Sequence, residues 1–252
     1  MYKKNLCFYL IVCAISLASC NTTSLTSNSD PLELMNRKIF RANDTIDQAV
    51  LRPVSLFYRE STPQLLQNDI ENFLQWLDTP NILVNNLLQG NFNQAETTLK
   101  YFFLQSFHLG HVDLNIKYGL NFQNEDFGQT LGSFGVQPGP YLVLPLLGPT
   151  NVRDSIGRAI DVFLNPFNYV GTEGSRTIFS ATRGSFEALT FRAKYSSQID
   201  ELRENSIDYY TRVKTIFDQR RTASINNKMT KNSPETTESI DAFDDQFLKL
   251  LD

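Results

Sequence analysis

From residue 30 onward, apolar side chains recur at every third or fourth position, and helix punctuation separates one group from the next. Met35, Ile39, Ala42, Ile46, Val50, Val54 and Phe57 form the first stripe, the pattern of an amphipathic helix. Asp30 stands as its cap, Pro31 at its first turn and Glu33 as the partner of a capping box. Pro53 should kink or divide it. Thr62-Pro63 opens a second helix with Leu66, Ile70, Phe73 and Leu77 on one face, and Asp78-Thr79-Pro80 is expected to end it. A short helix over 81–88 closes at Gly90, and Asn93 with Glu96 caps another that carries Leu99, Phe102, Phe103 and Phe107.

The middle of the chain breaks this rhythm. Gly128, Gly132, Gly135, Gly139 and Gly148 fall here, with Pro138, Pro140, Pro145 and Pro149 among them. Between them runs Tyr141-Leu142-Val143-Leu144-Pro145-Leu146-Leu147, too short to span a bilayer and too rich in proline for a long helix or central strand. Two readings stand side by side. One is a buried loop or short edge strand. The other is an apolar wall against lipid, because irregular backbone at membrane depth persists only where protein or a cavity shelters it.

Helical spacing then returns. Thr150 or Asn151 caps a helix with Ile156, Ile160 and Phe163, ending near Asn165-Pro166. A longer helix over about 172–195 aligns Phe179, Phe186, Leu189 and Ala193, and Ser197 with Asp200 begins another carrying Leu202, Tyr209, Val213 and Ile216. The Asn/Thr/Ser-rich, acidic residues 223–252 read as a disordered tail. The fold class is all-α, with short amphipathic helices and one Gly/Pro-rich apolar segment.

The N-terminus carries an address. Lys3 and Lys4 precede the apolar run 6–17, which ends in Leu17-Ala18-Ser19-Cys20. This is a secretory signal, and its last four residues resemble the bacterial lipobox. That resemblance implies a leader over 1–19, cleavage before Cys20, and a diacylglycerol and N-acyl chain on Cys20. Three chains anchor a protein firmly, at about 0.8 kcal/mol per buried CH2. Asn21 follows where Asp would signal inner-membrane retention, which favours the outer membrane. Residues 20–29 form a polar tether, leaving 30–222 as the folded domain.

Composition narrows the chemistry. The 252 residues are 41% hydrophobic and 20% charged, with 27 acids against 23 bases. That is too apolar for a disordered chain and too acidic for a nucleic-acid binder. Cys7, Cys13 and Cys20 are the three cysteines. Two leave with the leader and the third is lipidated, so no disulfide, zinc site or cysteine nucleophile is expected. His108 and His111 have metal-like spacing, but no third ligand accompanies them, and a polar loop pair fits better. Catalytic motifs, resident metals and cofactors are not expected. Gly128-x-x-x-Gly132 suggests close helix packing. Asp44 with Asp47 reads as a solvated or capping pair, and Arg153-Asp154 as a polar pair at a helix start.

Several blocks together carry a family resemblance: Asp30 to Arg37, Phe40-Arg41-Ala42-Asn43-Asp44, Val84 to Gly90, Glu125 to Gly132, Gly139 to Pro149, and Val152-Arg153-Asp154. In this order, from about Asp30 to Tyr210, they resemble the MlaA (VacJ) family of outer-membrane lipoproteins. The resemblance implies a compact ring or disc of helices in the periplasmic leaflet of the outer membrane, beside a trimeric porin. It implies an amphipathic channel that passes misplaced phospholipid to a soluble periplasmic carrier, MlaC, and so maintains lipid asymmetry. Catalysis is not required. On this reading Phe127, Gly128, Gly132, Gly135, Gly139, Tyr141, Leu142, Val143, Leu144, Leu146 and Leu147 line an acyl path. Asn43, Asp44, Arg153 and Asp154 supply polar groups for the head. The alternative is a porin-associated structural lipoprotein that moves no lipid.

Overall fold

The computed structural model describes residues 30–108, 111–120 and 123–230. The expected leader, Cys20, the tether and the chain beyond Thr230 lie outside them. The chain divides at Pro31, and the unit from Leu32 onward contains the helices and strands described here.

Helix α1 spans Glu33–Ile46 and runs without interruption into a π turn, Asp47–Leu51, and then α2, Arg52–Ser61. The expected division at Pro53 takes the form of this π turn. The Arg52 N–H reaches back to the Asp47 carbonyl, which winds the chain wider just before the residue that lacks an N–H. The helix begins later than the expected cap at Asp30. Leu32 occupies the cap position without a side-chain bond, and Glu33 instead accepts from Arg37 Nε at 2.7 Å.

The next two expected helices are one. Helix α3, Gln64–Leu88, continues through Pro80. Proline removes the usual donor to the Trp76 carbonyl, and side chains support the carbonyls on either side. Thr79 Oγ1 donates to Gln75 (3.2 Å) and Asn165 Nδ2 donates to Leu77 (3.1 Å). Gly90 does end the helix as expected. With φ of +70°, it directs its own N–H to Leu87 and that of Asn91 to Asn86, a Schellman closure. Helix α4, Phe92–His108, begins ahead of Asn93, so Asn93 lies within the helix rather than at its cap; its carbonyl accepts from Thr97, and Glu96 pairs with Lys100.

Short helices α5, Leu114–Tyr118, and α6, Phe127–Ser133, lead to an antiparallel hairpin, β1 Tyr141–Leu144 and β2 Gly148–Asn151. The hairpin is the strand content among the described residues, and it gives this segment a short strand. Helix α7, Val152–Leu164, is capped by Asn151, whose side chain accepts from the Asp154 N–H. Helix α8, Glu173–Lys194, is capped by Thr172. The last expected helix is two, α9 Ser196–Asn205 and α10 Tyr209–Thr230. Asp208 stands at the break and accepts from Thr211 N–H. Helix α10 passes Thr222, so the first residues of the expected tail are helical.

The apolar core is small. Ile82, Tyr101 and Leu114 form one cluster, and Tyr141, Val143 and Tyr210 another. Among the described residues nine apolar side chains are buried against twenty-one polar or charged ones. The apolar stripes face outward. Met35, Ile46, Val50, Val54 and Phe57 (72%) are exposed, while Asn36 and Ser55 on the same helices are fully buried. Ordinary soluble domains distribute polarity the other way. Among the described residues, no helix is long and apolar enough to cross a membrane.

Candidate functional site: a polar cavity and a braced hairpin

The cavity between the helices has a volume of about 440 Å3. Helix α3 contributes Glu71, Gln75, Asp78, Asn81 and Ile82 to its wall. The segment entering α6 contributes Asn124, Glu125 and Asp126, with Gln129 one turn on; Asp161 of α7 and Lys194 of α8 complete it. The lining therefore carries five carboxylates and one ammonium group.

Each charge has a local reason for its position. Asp126 is the N-cap of α6, accepting from Gln129 N–H at 2.8 Å. Both its oxygens also accept from Arg221 of α10, at 2.6 Å each. Burial would raise this carboxyl, but Arg221 and Gln129 outweigh it and hold it below the ordinary value. Burial raises Asp78, although Arg183 lies against it. Burial also raises Asp161, which among the described residues accepts from neutral donors: Asn81 Nδ2 (2.9 Å), Asn85 Nδ2 (3.1 Å) and Phe127 N–H (3.1 Å). Lys194 Nζ is paired with Glu71 at 2.7 Å.

Arg221 joins the cavity rim to a second cluster. Its Nε stands 2.8 Å from Asp154, which accepts from Arg153 Nε (2.9 Å) and Asn151 Nδ2 (2.7 Å). Arg153 and Asp154 form the expected polar pair in the first turn of α7, buried in an ion cluster, and they do not line the cavity. Small residues let these elements approach. A Cβ on Gly157 would stand 2.3 Å from the Gly128 nitrogen, and one on Gly132 would stand 2.6 Å from Ile225 Cδ1.

The hairpin is braced by α1. Asn36 Nδ2 donates to the Tyr141 carbonyl and Asn36 Oδ1 accepts from Val143 N–H, both at 2.9 Å. Two turns on, Asn43 Nδ2 donates to the Leu144 carbonyl and Asn43 Oδ1 accepts from Leu146 N–H, again at 2.9 Å. Two asparagines thereby pair the edge of β1 as a neighbouring strand would. Asp44 acts elsewhere, accepting from Arg203 Nε at 2.9 Å. Asp47, placed by the π turn, accepts from Arg192 (2.9 Å) and Arg203 (2.7 Å), and Asp200 binds Arg192 (2.6 Å) and Arg52 (2.9 Å). The expected solvated pair is therefore part of an ion network between α1, the π turn, α8 and α9.

The residues expected on an acyl path fall into four places. Phe127, Gly128 and Gly132 belong to α6, where Phe127 N–H bonds the cavity residue Asp161. Tyr141 and Val143 are buried beside Tyr210, with Leu142 and Leu144 half-buried. Leu146 (75%) and Leu147 (65%) are exposed at the hairpin tip, Leu146 with φ of +63°. Gly135 and Gly139 lie in the connection between α6 and β1, both at positive φ. The cavity wall is built from their neighbours instead. His108 Nδ1 bonds the Leu104 carbonyl and His111 Nδ1 bonds Asp69, each at 2.7 Å, so the two rings serve different partners. Among the described residues, no group of three or more His, Cys, Asp or Glu side chains is arranged to hold a metal ion.

The sequence reading missed Asp78, Asp126, Asp161, Lys194 and Arg221. Asp78 reads locally as a helix stop, and Arg221 lies where the pattern fades. Only Asp126, inside the Glu125–Gly132 block, carried a signal.

Comparison with known proteins places this architecture. The family model described as MlaA lipoprotein matches residues 28–224. An "Intermembrane phospholipid transport system lipoprotein MlaA" of Escherichia coli K12 is 31% identical over 204 residues, 79% of each chain. The protein of the same name from Haemophilus influenzae is 27% identical over 253 residues, 96% of each chain. An uncharacterized protein of Rickettsia felis is 32% identical over 78% of each. A structure solved in work on the "structural basis for maintenance of bacterial outer membrane lipid asymmetry" superposes with a TM-score of 0.70 at 31% identity, covering 79% of this chain and all of the other. The chain belongs to the MlaA lipoprotein family.

Proposed function

We propose that this chain moves phospholipid at the outer membrane, withdrawing molecules misplaced in the outer leaflet and so maintaining lipid asymmetry. The observation that carries the reading is the inverted polarity of the fold. Large apolar side chains lie outside on α1, α2, α4 and α8, and Asn, Gln, Thr and charged side chains lie inside. A helix with its apolar face outward lies stably in a lipid interface, and a polar interior is where a headgroup can travel. In this reading the headgroup passes the acidic cavity while the acyl chains follow apolar surface, including the segment from Phe127 to Leu147. The protein sits in the periplasmic leaflet, anchored by acyl chains on Cys20, beside a trimeric porin, and hands lipid to an MlaC-like soluble carrier. The relatives' role is transport, and the reading assigns this chain no catalytic step.

Labelling of outer-leaflet phospholipid in intact cells tests this. Deletion of the gene should raise the labelled fraction and the wild-type chain should restore it. A labelled fraction unchanged by deletion would overturn the proposal and favour the structural lipoprotein. Cys20→Ser should leave an unprocessed chain in fractionated membranes; a mature N-terminus without acyl mass on Cys20 would refute the anchor.

A further inference from the structure

Resting on that transport reading, we infer that the cavity selects lipids whose headgroup carries an ammonium with N–H donors, the phosphoethanolamine class, over headgroups with no cation.

Two neighbouring groups point to it. Asp161 is a half-buried carboxylate with no Lys or Arg partner among the described residues; its three donors are two side-chain amides and a backbone N–H. Asn81, itself 7% exposed and part of the cavity wall, uses Nδ2 to hold Asp161 and leaves Oδ1 without a hydrogen-bond partner. A buried acceptor without a donor costs free energy, and a buried carboxylate is retained where a cation or donors meet it. One ammonium group supplies both, since it carries several N–H donors and a positive charge.

The rest of the wall fits the remainder of the head. Asp126 and Asp78 are already engaged by Arg221 and Arg183, whereas Asp161 meets only amide donors among the described residues. Lys194 is the single ammonium of the lining, and though paired with Glu71 its side chain is still 53% open to solvent. A phosphate can take up Lys194 while the headgroup ammonium meets Asp161 and Asn81. A volume of about 440 Å3 lies within the range of small-ligand pockets. A phosphoglycerol headgroup brings a negative charge with nothing to offer Asp161. A trimethylated ammonium brings the charge but no N–H for Asn81. The expected order is therefore phosphatidylethanolamine, then phosphatidylcholine, then phosphatidylglycerol.

The test uses the purified full-length lipoprotein equilibrated in nanodiscs containing equal parts of these three lipids, followed by mass spectrometry of the lipid it retains. Phosphatidylethanolamine should be enriched over phosphatidylglycerol by about tenfold, the effect of one charge-assisted hydrogen bond. Asp161→Asn should reduce that enrichment by a similar factor. Lipid retained in the proportions of the mixture, or an enrichment that Asp161→Asn leaves intact, would overturn the headgroup inference while leaving transport standing. Retention of no lipid at all would overturn the transport reading and this inference with it.

Discussion

Asn36 holds Val143 across more than a hundred residues of sequence. Its side-chain amide meets the Val143 N–H and the Tyr141 carbonyl, both at 2.9 Å, and Asn36 is fully buried. Helix α1 therefore acts as the outer strand of a sheet that has only two strands of its own. This explains how a Gly/Pro-rich hairpin keeps one place: its free edge is satisfied by side chains spaced two helical turns apart.

Replacing Asn36 with Ala leaves a buried N–H and a buried carbonyl unpaired. The expected loss is about 2–5 kcal/mol, read as a lower thermal midpoint. Hydrogen exchange should accelerate at Val143 first, whereas Asn43→Ala should accelerate it at Leu146.

Glycine substitutions should separate sharply by place. Gly157→Ala puts a Cβ 2.3 Å from the backbone nitrogen of Gly128, so α6 and α7 must part, at a cost of about 2–4 kcal/mol. Gly184→Ala on α8 meets nothing within 4 Å and should stabilise by roughly 0.5–1 kcal/mol through helix propensity. Chemical unfolding midpoints of the two variants, measured together, check both.

The acids of the cavity should respond to pH in opposite senses. Asp126 is held below its ordinary value. Its pairing with Arg221 therefore stabilises the fold above pH ~3.9, and that contribution fades as pH falls through the lower folded value. Asp126→Asn should cost about 1–2 kcal/mol at neutral pH, a modest figure because the Asp126 side chain is 35% open to solvent, and the difference from wild type should vanish in acid. Asp161 is raised by burial, so its charge costs stability above the folded value and the cost disappears as pH falls. Asp161→Asn should then be at least as stable as wild type at neutral pH, with its advantage lost in acid. Urea midpoints across pH give both curves.

The period and the punctuation of the sequence carried helix existence well, and burial direction poorly. The stripe from Met35 to Phe57 does form helix, and Gly90, Asn151 and Thr172 do mark ends. Periodicity says that a face is apolar without saying what it faces, and here lipid is the partner the fold implies. Pro80 read as a stop because the sequence does not show that Thr79 and Asn165 will satisfy neighbouring carbonyls. The cavity acids were hidden for a related reason. Asp78, Asp126 and Asp161 come together only when α3, α6 and α7 pack, and each alone looks like surface charge or a cap. The hairpin was legible as an apolar break, while the pairing of Asn36 and Asn43 with it was not.

The most direct test of the account is where a travelling lipid touches the protein. A photo-crosslinking amino acid placed at Asn124, an exposed position on the cavity wall, should capture phospholipid in living cells, detected as a mass adduct on the purified chain. The same probe at Glu201, an exposed position on the polar helix α9, should capture none. A phospholipid adduct at Asn124 and not at Glu201 is the predicted result; adducts confined to the hairpin tip at Leu146 and Leu147, with Asn124 blank, would contradict passage of the headgroup through the polar cavity.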